Sequence, residues 1–499
     1  MPQHNREWGP PPFPVPPTRA ETGTAFTRTM PIAWTSGAAL RSGRVVLGGS
    51  PWQVIPLPVA VRPFARKLFA AGRAGLTATT KAEQSAAVYL LDRGIADPLP
   101  IARPDRVIDD VEIVIPVYRH AKSLQRTLDS LRAEGLPVIV VDDASPRADA
   151  ARIKQAAEAH GAKHIVLPVN GGPGEARAAG FAASTAPFVA FIDADAIAAP
   201  DWIARLRPLF DDPLLGAVAP RVRPHVTGTS SIELYEDTRS ELDMGPEPSL
   251  VVYAATVGWL PTASVLVRRS AVTDPIFEPG LRVGEDVDLF WRMDEAGWSV
   301  RYAPDVVNHH EVRTSLKDFV GRRAMYGGSA ADLERRHPRR LIPAQPSLSG
   351  LAVLAALALR KPWIAAGVAG YEFARQRRIL APEVPALVTA EVTARSLWSD
   401  AFWLGHLLRR DWWPVGLLVM LAAPKSRLAR GVAAAMLWEP VRDHLLRPTR
   451  LDPARSLALR AVDDASYGTG VIRNAIRKRV LNVVAPRVRI PTWPKESGN

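Results

Sequence analysis

Two pairs of carboxylates in the sequence are candidates for a metal site and for a catalytic base. Asp193 and Asp195 close the apolar run FIDAD, one residue apart. Carboxylates in this arrangement can hold a hard Mg2+ or Mn2+ ion that also bridges the oxygens of a diphosphate. Glu285 and Asp286 follow a glycine, and a carboxylate there could deprotonate an acceptor hydroxyl. Acidic turn residues and helix-capping residues are the alternative interpretations of the two pairs.

A pair of histidines downstream supplies a candidate third metal ligand. His309 and His310 are adjacent in an extended segment, so their side chains face opposite ways and one of them would reach a given ion. We favour His310 from its spacing to Arg313, and a surface histidine pair is the alternative. The chain has no cysteine, so Asp, Glu or His must hold any metal.

Two further motifs contain groups that suit a nucleoside. The run ending in Ile115-Pro116-Val117-Tyr118 is followed by a predicted helix, and Asp142 and Asp143 end the run VVDDAS. A carboxylate at that place can accept hydrogen bonds from a base N–H or a ribose hydroxyl. An aspartate that caps the next turn is the alternative.

A glycine-rich turn suits a diphosphate. The segment VNGGPGEARAAG contains Asn170, Gly171 and Gly172 and enters a predicted helix near Gly174. Backbone amides and a helix N-terminus favour an anionic group. Arg177 could contact the same diphosphate from the first helical face.

Short apolar strands and helical segments alternate from Val111 onward. The runs VEIVIPV, VIVVDD, HIVLP and FVAFIDAD are rich in β-branched residues, and segments such as SLQRTLDSL have helical periodicity. This alternation predicts a parallel sheet covered by helices. The motifs follow the carboxyl ends of successive strands, which is the edge where open α/β sheets bind ligands.

The ordered set IPVY, VVDDAS, NGGPGEAR, FIDAD and GEDVDLFWRM, with the histidines after it, resembles the family 2 glycosyltransferases. The resemblance covers the chain from Val111 to Tyr326. It implies an α/β, GT-A (Rossmann-like) domain that binds a nucleotide sugar and a divalent cation and inverts the anomeric configuration. FVGRRAMYGGSAADL stands where processive synthases of the family carry QxxRW, which argues against processive synthesis.

The resemblance also implies a role for individual residues. Three residues are implied in nucleoside recognition: Pro116, Tyr118 and Asp143. Asp193 and Asp195 are implied in metal and diphosphate binding, and Ala194 between them is assigned to the donor site. Asp286 is implied as the catalytic base, with Glu285 beside it.

The segments before this domain differ in composition and in predicted secondary structure. Residues 1–28 include PPPFPVPPTR and are predicted to form a disordered or polyproline arm. Residues 29–103 are predicted to contain two strands around a Gly-Gly-Ser-Pro turn and two helices, a pattern that resembles the small winged-helix, PqqD-like α+β domains. That resemblance implies backbone-directed binding of a peptide at a sheet edge, and a scaffolding subdomain without a ligand is the alternative.

A basic, mainly helical region is predicted for residues 341–499, after a transferase domain at residues 108–335. Its apolar runs are interrupted, and none reaches the ~20 residues that span a bilayer. A solvated basic face around ordinary helices and a shallow contact with the inner face of the cell membrane both explain this composition. The tryptophans that favour the second alternative are Trp403, Trp412, Trp413 and Trp438.

The net charge and the first residues bear on the possible partners and on the location of the protein. The formal charge is +13, but no motif for nucleic-acid recognition accompanies it, so we exclude that partner. The Pro-rich, polar start does not resemble a secretion signal, and we expect a cytoplasmic protein.

The order of the three predicted regions resembles the glycosyltransferases of mycofactocin systems. This resemblance implies transfer of glucose from UDP-glucose to a peptide-derived cofactor precursor. A cell-envelope glycan or lipid acceptor, and a non-catalytic protein that binds a peptide for assembly, are the alternatives.

Overall fold

The computed structural model describes residues 14–18, 25–100, 107–312 and 314–490 of the 499-residue chain. Most of the predicted Pro-rich arm, and Arg313, lie outside these residues. The chain divides into two compact units: unit 1 is Met1–Thr227 with Arg239–Val312, and unit 2 is Gly228–Thr238 with Arg313–Asn499. The segment predicted as one transferase domain, residues 108–335, therefore contributes to both units.

The first part of unit 1 is a small region of short strands and two helices. Its elements are β1 (Ile32–Trp34), β2 (Ala39–Arg41), β3 (Val45–Gly48), β4 (Gln53–Pro56), α1 (Arg62–Ala71), α2 (Lys81–Leu91) and β5 (Ala96–Pro98). Strands β2, β3 and β4 form an antiparallel sheet, and β1 pairs with β5. The predicted Gly-Gly-Ser-Pro turn joins β3 to β4. The arrangement is compatible with a small winged-helix-like domain, whose PqqD-like identity stays a prediction.

The rest of unit 1 is built on the main sheet. Within the described residues its nine strands are β6 (Val111–Val117), β7 (Val138–Asp142), β8 (Lys163–Val166), β9 (Phe188–Ile192), β10 (Ala196–Ile197), β11 (Leu215–His225), β12 (Ser249–Leu250), β13 (Ser264–Arg268) and β14 (Ser299–Glu311). The helices of this stretch of chain are α3 (Ala121–Leu131), α4 (Arg147–Ala159), α5 (Pro173–Ala183), α6 (Trp202–Leu206), α7 (Ser231–Arg239) and α8 (Glu285–Ala296).

The main sheet is mixed rather than wholly parallel. Its order is β10-β14-β11-β13-β9-β6-β7-β8, with β12 paired to β14. Strands β9, β6, β7 and β8 are parallel, as predicted, and a helix connects each to the next along the chain. β13, for which the sequence made no prediction, runs antiparallel to β9 and β11.

Two apolar cores cover opposite faces of this sheet. Successive residues of β6 alternate between them, because side chains of a strand point to opposite faces. Ile113 and Ile115 pack in one core with Leu124 of α3. Val114 packs in the other with Phe181 of α5. The helices on both faces fix the strands, so the loops at the carboxyl edge start from rigid positions.

A buried ion pair connects the small N-terminal region to the main sheet. Nη1 of Arg301, in β14, donates to Oδ1 of Asp97 at 3.0 Å and to the carbonyl of Ala96 at 3.3 Å. Nη2 donates to the carbonyl of Leu91 at 2.7 Å. Both charged side chains are buried, and a buried charge is tolerated when it is paired and hydrogen-bonded. This contact and a shared apolar core join the small region to the main sheet within unit 1.

Unit 2 is helical, as predicted for the end of the chain. It contains α7, except for its last residue, and eight further helices in the described residues: α9 (Leu316–Gly328), α10 (Ala330–Arg336), α11 (Leu348–Ala358), α12 (Pro362–Ile379), α13 (Ala386–Arg409), α14 (Trp413–Ala422), α15 (Arg427–Leu446) and α16 (Pro453–Lys478). No helix in the described part of the chain is both long and apolar enough to cross a bilayer.

Close packing of α9 against α16 gives a stability prediction. A methyl group on Gly470 of α16 would collide with the backbone carbonyl of Ala324 in α9. We expect Gly470→Ala to lower the free energy of unfolding of unit 2 by about 1–3 kcal/mol, because the helices would have to separate. Denaturant unfolding followed by circular dichroism measures this loss.

The matched control is a glycine on an open helix surface. A methyl group on Gly431 of α15 would meet nothing within 4 Å. Gly431→Ala should be neutral or stabilise the unit by up to about 1 kcal/mol, through helix propensity alone. Equal effects of the two substitutions would contradict the packing assigned to α9 and α16.

Candidate active site

Two aspartates and a histidine meet at the carboxyl edge of the main sheet. Asp193 and Asp195 follow β9, and His310 lies near the end of β14, where it pairs with Ala196. Nε2 of His310 is 3.0 Å from Oδ1 of Asp195 and 3.9 Å from Oδ2 of Asp193. One possible ligand atom from each residue lies within 4.8 Å of the other two. Two carboxylates and an imidazole at these distances fit a divalent cation.

The backbone of the aspartate turn is held from two sides. The hydroxyl of Thr127, in α3, donates to the carbonyls of Ala194 and Ala196 at 2.9 and 2.7 Å. The N–H of Glu311 donates to the carbonyl of Asp195 at 3.0 Å. Ala194 is buried, so its side chain packs in the protein while the aspartates on either side are partly exposed. These contacts keep the candidate ligands together.

The second histidine of the pair does not join this group. His309 pairs with Ile197 of β10, and its ring centroid lies 6.3 Å from that of His225. Burial lowers the pKa of His309, and the neighbouring His225 and Arg223 lower it further. Strand alternation requires that adjacent side chains face opposite ways, and the structure brings His310, rather than His309, to the aspartates.

A buried arginine links one candidate metal ligand to the residue beside the candidate base. Nη2 of Arg177 donates to Oδ1 of Asp193 at 2.5 Å, and Nη1 donates to Oε1 of Glu285 at 3.0 Å. The Arg177 side chain is 4% exposed. The sequence suggested that this guanidinium would contact a diphosphate, but the structure places it between two carboxylates. Its charge holds the first turn of α8 against the aspartate turn.

The candidate base lies at the N-terminus of α8. Gly284 has a positive φ of 81°, and the helix begins at Glu285. Burial raises the pKa of Glu285, and Arg177 opposes that shift. Burial and the adjacent charge of Glu285 raise the pKa of Asp286 to about 8. Oδ1 of Asp286 accepts a hydrogen bond from the N–H of Val287 at 2.8 Å, so a helix-terminal contact and a raised pKa coexist in this residue.

The end of β7 and the glycine-rich turn are tied together. The carboxylate of Asp143 accepts hydrogen bonds from the N–H groups of Gly171 and Gly172, both at 2.8 Å. Nδ2 of Asn170 donates to the carbonyl of Asp143 at 3.0 Å. These two glycine amides were expected to face a diphosphate, and in this structure they bind Asp143 instead. The Asp143 carboxylate, directly after β7, accepts the hydrogen bonds that these N–H groups were expected to donate to a diphosphate.

The other predicted nucleoside residues lie around the end of β6. Pro116 is buried in the strand, while Tyr118 is partly exposed, with the guanidinium carbon of Arg119 4.8 Å from its ring centroid. Oδ1 of Asp142 accepts a hydrogen bond from the N–H of Ser145 at 2.9 Å, which is the turn-capping alternative. Tyr118 is therefore the predicted nucleoside residue of this strand end whose side chain reaches the surface.

An arginine that the sequence analysis missed lies beside the glycine-rich turn. Nη1 of Arg282 donates to the carbonyl of Asn170 at 3.2 Å, and Nη2 donates to Oδ1 of the same residue at 2.5 Å. The side chain is exposed and also flanks Gly172. Arg282 belongs to an irregular loop, so no periodicity marks it. Its position two residues before Gly284, at the start of the GEDVDLFWRM motif, could have identified Arg282 as a site residue.

A solved structure and a curated relative are similar to parts of the chain. The mannosyltransferase of Pyrobaculum calidifontis, solved in complex with GDP-Man and Mn2+, is 20% identical, with a TM-score of 0.37, over 76% of this chain and 99% of that one. The glycosyltransferase AglE of Haloferax volcanii is 27% identical over 211 residues, which are 41% of this chain and 67% of the relative.

Two family matches and one relative that matches along nearly its full length assign the chain to a family. Residues 112–262 match Glycosyl transferase family 2, and residues 188–430 match Glycosyl transferase family group 2. The pre-mycofactocin glycosyltransferase of Mycobacterium tuberculosis is 36% identical over 467 residues, which are 90% of this chain and 96% of the relative. The GT-A fold class implied by the motifs is confirmed. The chain belongs to the family 2 glycosyltransferases, together with the pre-mycofactocin glycosyltransferase.

Proposed function

We propose that the chain transfers glucose from UDP-glucose to a hydroxyl of a peptide-derived cofactor precursor, with inversion at the anomeric carbon. The relative that matches along 90% of the chain carries the name pre-mycofactocin glycosyltransferase, which supports the acceptor class. One observation carries the chemistry: Arg177 joins Asp193, a candidate metal ligand, to Glu285, the residue next to the proposed base Asp286. That link joins the leaving-group side of the site to the acceptor side.

The leaving-group side is formed by Asp193, Asp195 and His310, which would hold Mg2+ or Mn2+. Such an ion neutralises the charge that develops on the departing diphosphate. We assign contact with the nucleoside to Tyr118, and Asp143 holds the glycine-rich turn that would border the donor site. These residues bind and orient the donor.

The acceptor side is formed by Asp286. Its carboxylate takes the proton of the acceptor hydroxyl while that oxygen attacks the anomeric carbon. The bond from that carbon to the diphosphate oxygen breaks, and its electron pair leaves on UDP. A single displacement of this kind inverts the anomeric centre. Arg177 keeps Glu285 in place and thereby fixes the helix terminus that bears the base.

In this proposal Arg282, rather than Arg177, contacts the diphosphate. Arg282 is exposed at the glycine-rich turn, whereas Arg177 is buried between carboxylates. We expect Arg282→Gln to raise the KM for the donor about tenfold or more with little change in kcat, because a hydrogen bond to a charged group contributes about 1.5–3 kcal/mol. Initial rates over a donor series measure this. Arg152→Gln, on the exposed side of α4, should leave KM unchanged, and equal KM values for both variants would refute the assignment.

The raised pKa of Asp286 predicts a pH profile. The base acts when unprotonated, and burial raises its pKa to about 8, so the active fraction increases as the pH rises through that value. We expect kcat/KM to increase about tenfold per pH unit below 8 and to level off above it. Rates at constant ionic strength and saturating Mn2+ test the profile. A flat profile between pH 6 and 8 would assign proton removal to another group.

The small N-terminal region is proposed to bind the peptide part of the acceptor. Support comes from its antiparallel sheet, in which β2 and β4 are outer strands within the described residues. An extended peptide can add to such an edge through backbone hydrogen bonds. A precursor peptide that lacks the accepting hydroxyl should then inhibit transfer competitively with the acceptor. Failure to inhibit at concentrations above the acceptor KM would favour a scaffolding role.

A panel of UDP, GDP and dTDP sugars, with and without the hydroxylated peptide-derived acceptor, tests the substrates. We expect turnover of UDP-glucose that the acceptor stimulates and a chelator abolishes. Turnover of another donor that ignores this acceptor would contradict the proposal in favour of a cell-envelope acceptor. No turnover of any donor would favour the non-catalytic assembly protein.

A further inference from the structure

In two helical hairpins of unit 2, α11–α12 and α14–α15, the first helix buries small side chains and large apolar side chains are exposed. The buried residues of α11 are Ser349, Gly350 and Ala356. In α14 the buried residue is Gly416. Eight large apolar residues of the same segments are half-exposed or more: Leu348, Leu357, Leu359, Trp363, Leu417, Leu418, Leu421 and Leu428. Water-soluble proteins show the opposite distribution, and exposed apolar surface on this scale marks an interaction site.

The interior of the same helical unit is charged. Arg409 donates to Oδ2 of Asp464 and to Oε2 of Glu439, and Arg460 donates to the same two carboxylates. All four side chains are buried or nearly so. Helices that pack in contact with lipid place small and ionisable residues between them and large apolar residues outside. Helices α11 and α14 have the first of these features, and the cluster around Arg409 and Arg460 has the second.

Cations follow the exposed apolar residues in both hairpins. The tip between α11 and α12, residues 357–363, carries Arg360 and Lys361 next to Trp363. The second tip, residues 417–428, comprises the end of α14, the turn after it and the start of α15, and it carries Lys425 and Arg427. These cationic side chains are exposed. Both hairpins pack against α13, so one helix supports both tips.

The charge around the tips has one sign over long stretches. No acidic residue occurs between Glu334 and Glu372, or between Asp411 and Glu439. A protein partner or a second copy of the chain would have to supply all the compensating acidic groups. A sheet of anionic lipid headgroups supplies them at the same depth at which apolar side chains enter the acyl boundary. Each apolar helix is also too short to cross a bilayer, which suits a position in its surface layer.

We propose that the tips at residues 357–363 and 417–428 bind the surface of an anionic lipid bilayer. Leucine and tryptophan side chains enter the boundary between headgroups and acyl chains, while the neighbouring cations stay among the headgroups. Among the tryptophans of unit 2, Trp363 suits this role better than Trp412 does. The indole N–H of Trp412 donates to the carbonyl of Val484, whereas Trp363 is 70% exposed at a tip.

Co-sedimentation of the full chain with vesicles tests this surface. We expect binding to vesicles of phosphatidylcholine with phosphatidylglycerol, and at least tenfold weaker binding to phosphatidylcholine alone. Leu418→Ser/Leu421→Ser should lower the affinity for the anionic vesicles about tenfold or more. The control Val59→Ser/Val107→Ser, which alters comparably exposed valines of unit 1, should bind like the unmodified chain.

A second pair of variants separates charge from apolar contact. Arg360→Gln/Lys361→Gln should remove most of the preference for anionic vesicles, and Arg152→Gln/Lys154→Gln on α4 should retain it. Unchanged circular dichroism and unchanged Mn2+-dependent UDP binding show that each variant is folded. Equal binding of the serine variant and its control, or no binding of the unmodified chain to either vesicle, would overturn the proposal. So would self-association in light scattering that the same serine substitutions abolish.

Discussion

Asp286→Asn should reduce sugar transfer by about 10^2- to 10^4-fold, the range that general-base catalysis contributes. Asparagine has nearly the same shape and can keep the contact with the N–H of Val287, but it cannot take a proton from an acceptor hydroxyl. The leaving-group side of the site does not include this residue. Single-turnover rates should therefore fall, while calorimetry should show Mn2+-dependent UDP binding unchanged.

A substitution on the same helix serves as the control for this variant. Glu295→Gln removes an exposed carboxylate from the last turn of α8 and should retain full turnover. The role of Asp286 would be refuted by turnover of its asparagine variant within threefold of the unmodified chain. Loss of UDP binding together with turnover would show that the substitution had disturbed the donor site instead.

Asp195→Ala should weaken Mn2+-dependent UDP binding about a hundredfold or more, because a metal contact to a diphosphate contributes several kcal/mol. Asp195 tests the metal site better than Asp193 does. Asp193 also accepts a hydrogen bond from Arg177, so its removal would disturb the link to Glu285 as well. Titration of UDP in the presence and absence of Mn2+ measures the metal-dependent part of the affinity.

The adjacent histidines supply a matched pair for the same measurement. His310→Ala should lower the Mn2+-supported affinity for UDP, since its Nε2 lies 3.0 Å from Asp195. His309→Ala should not, since its ring lies near His225 on the other side of the strand. An unchanged affinity for Asp195→Ala, or equal effects of the two histidine substitutions, would place the metal elsewhere.

Local sequence patterns were sufficient to predict the strand ends that carry the site. Apolar runs followed by Asp143 or Asp193 identified strands of the main sheet, because their burial and their turns are encoded within a few residues. Strand alternation also showed that one of His309 and His310 would face the aspartates. The antiparallel direction of β13 is set by its pairing between β9 and β11, and no pattern within the strand predicts that pairing.

Side-chain partners across the fold could not be predicted in the same way. Arg177 is 108 residues from Glu285, and Asp143 is 28 residues from Gly171. Each pair joins segments that lie far apart in the sequence, and the opposite charge or donor is present in the fold when no substrate group is bound. Sequence motifs identified the groups but not which of them would bind each other.

Proton NMR of the reaction of the purified chain with UDP-glucose, Mn2+ and the peptide-derived acceptor tests the central claim most directly. UDP-glucose carries its sugar in the α configuration, so a single displacement assisted by Asp286 predicts loss of the α-anomeric signal and growth of a β-glycosidic signal on the acceptor. An α-linked product, or an unchanged donor signal in the presence of acceptor and metal, would contradict the account.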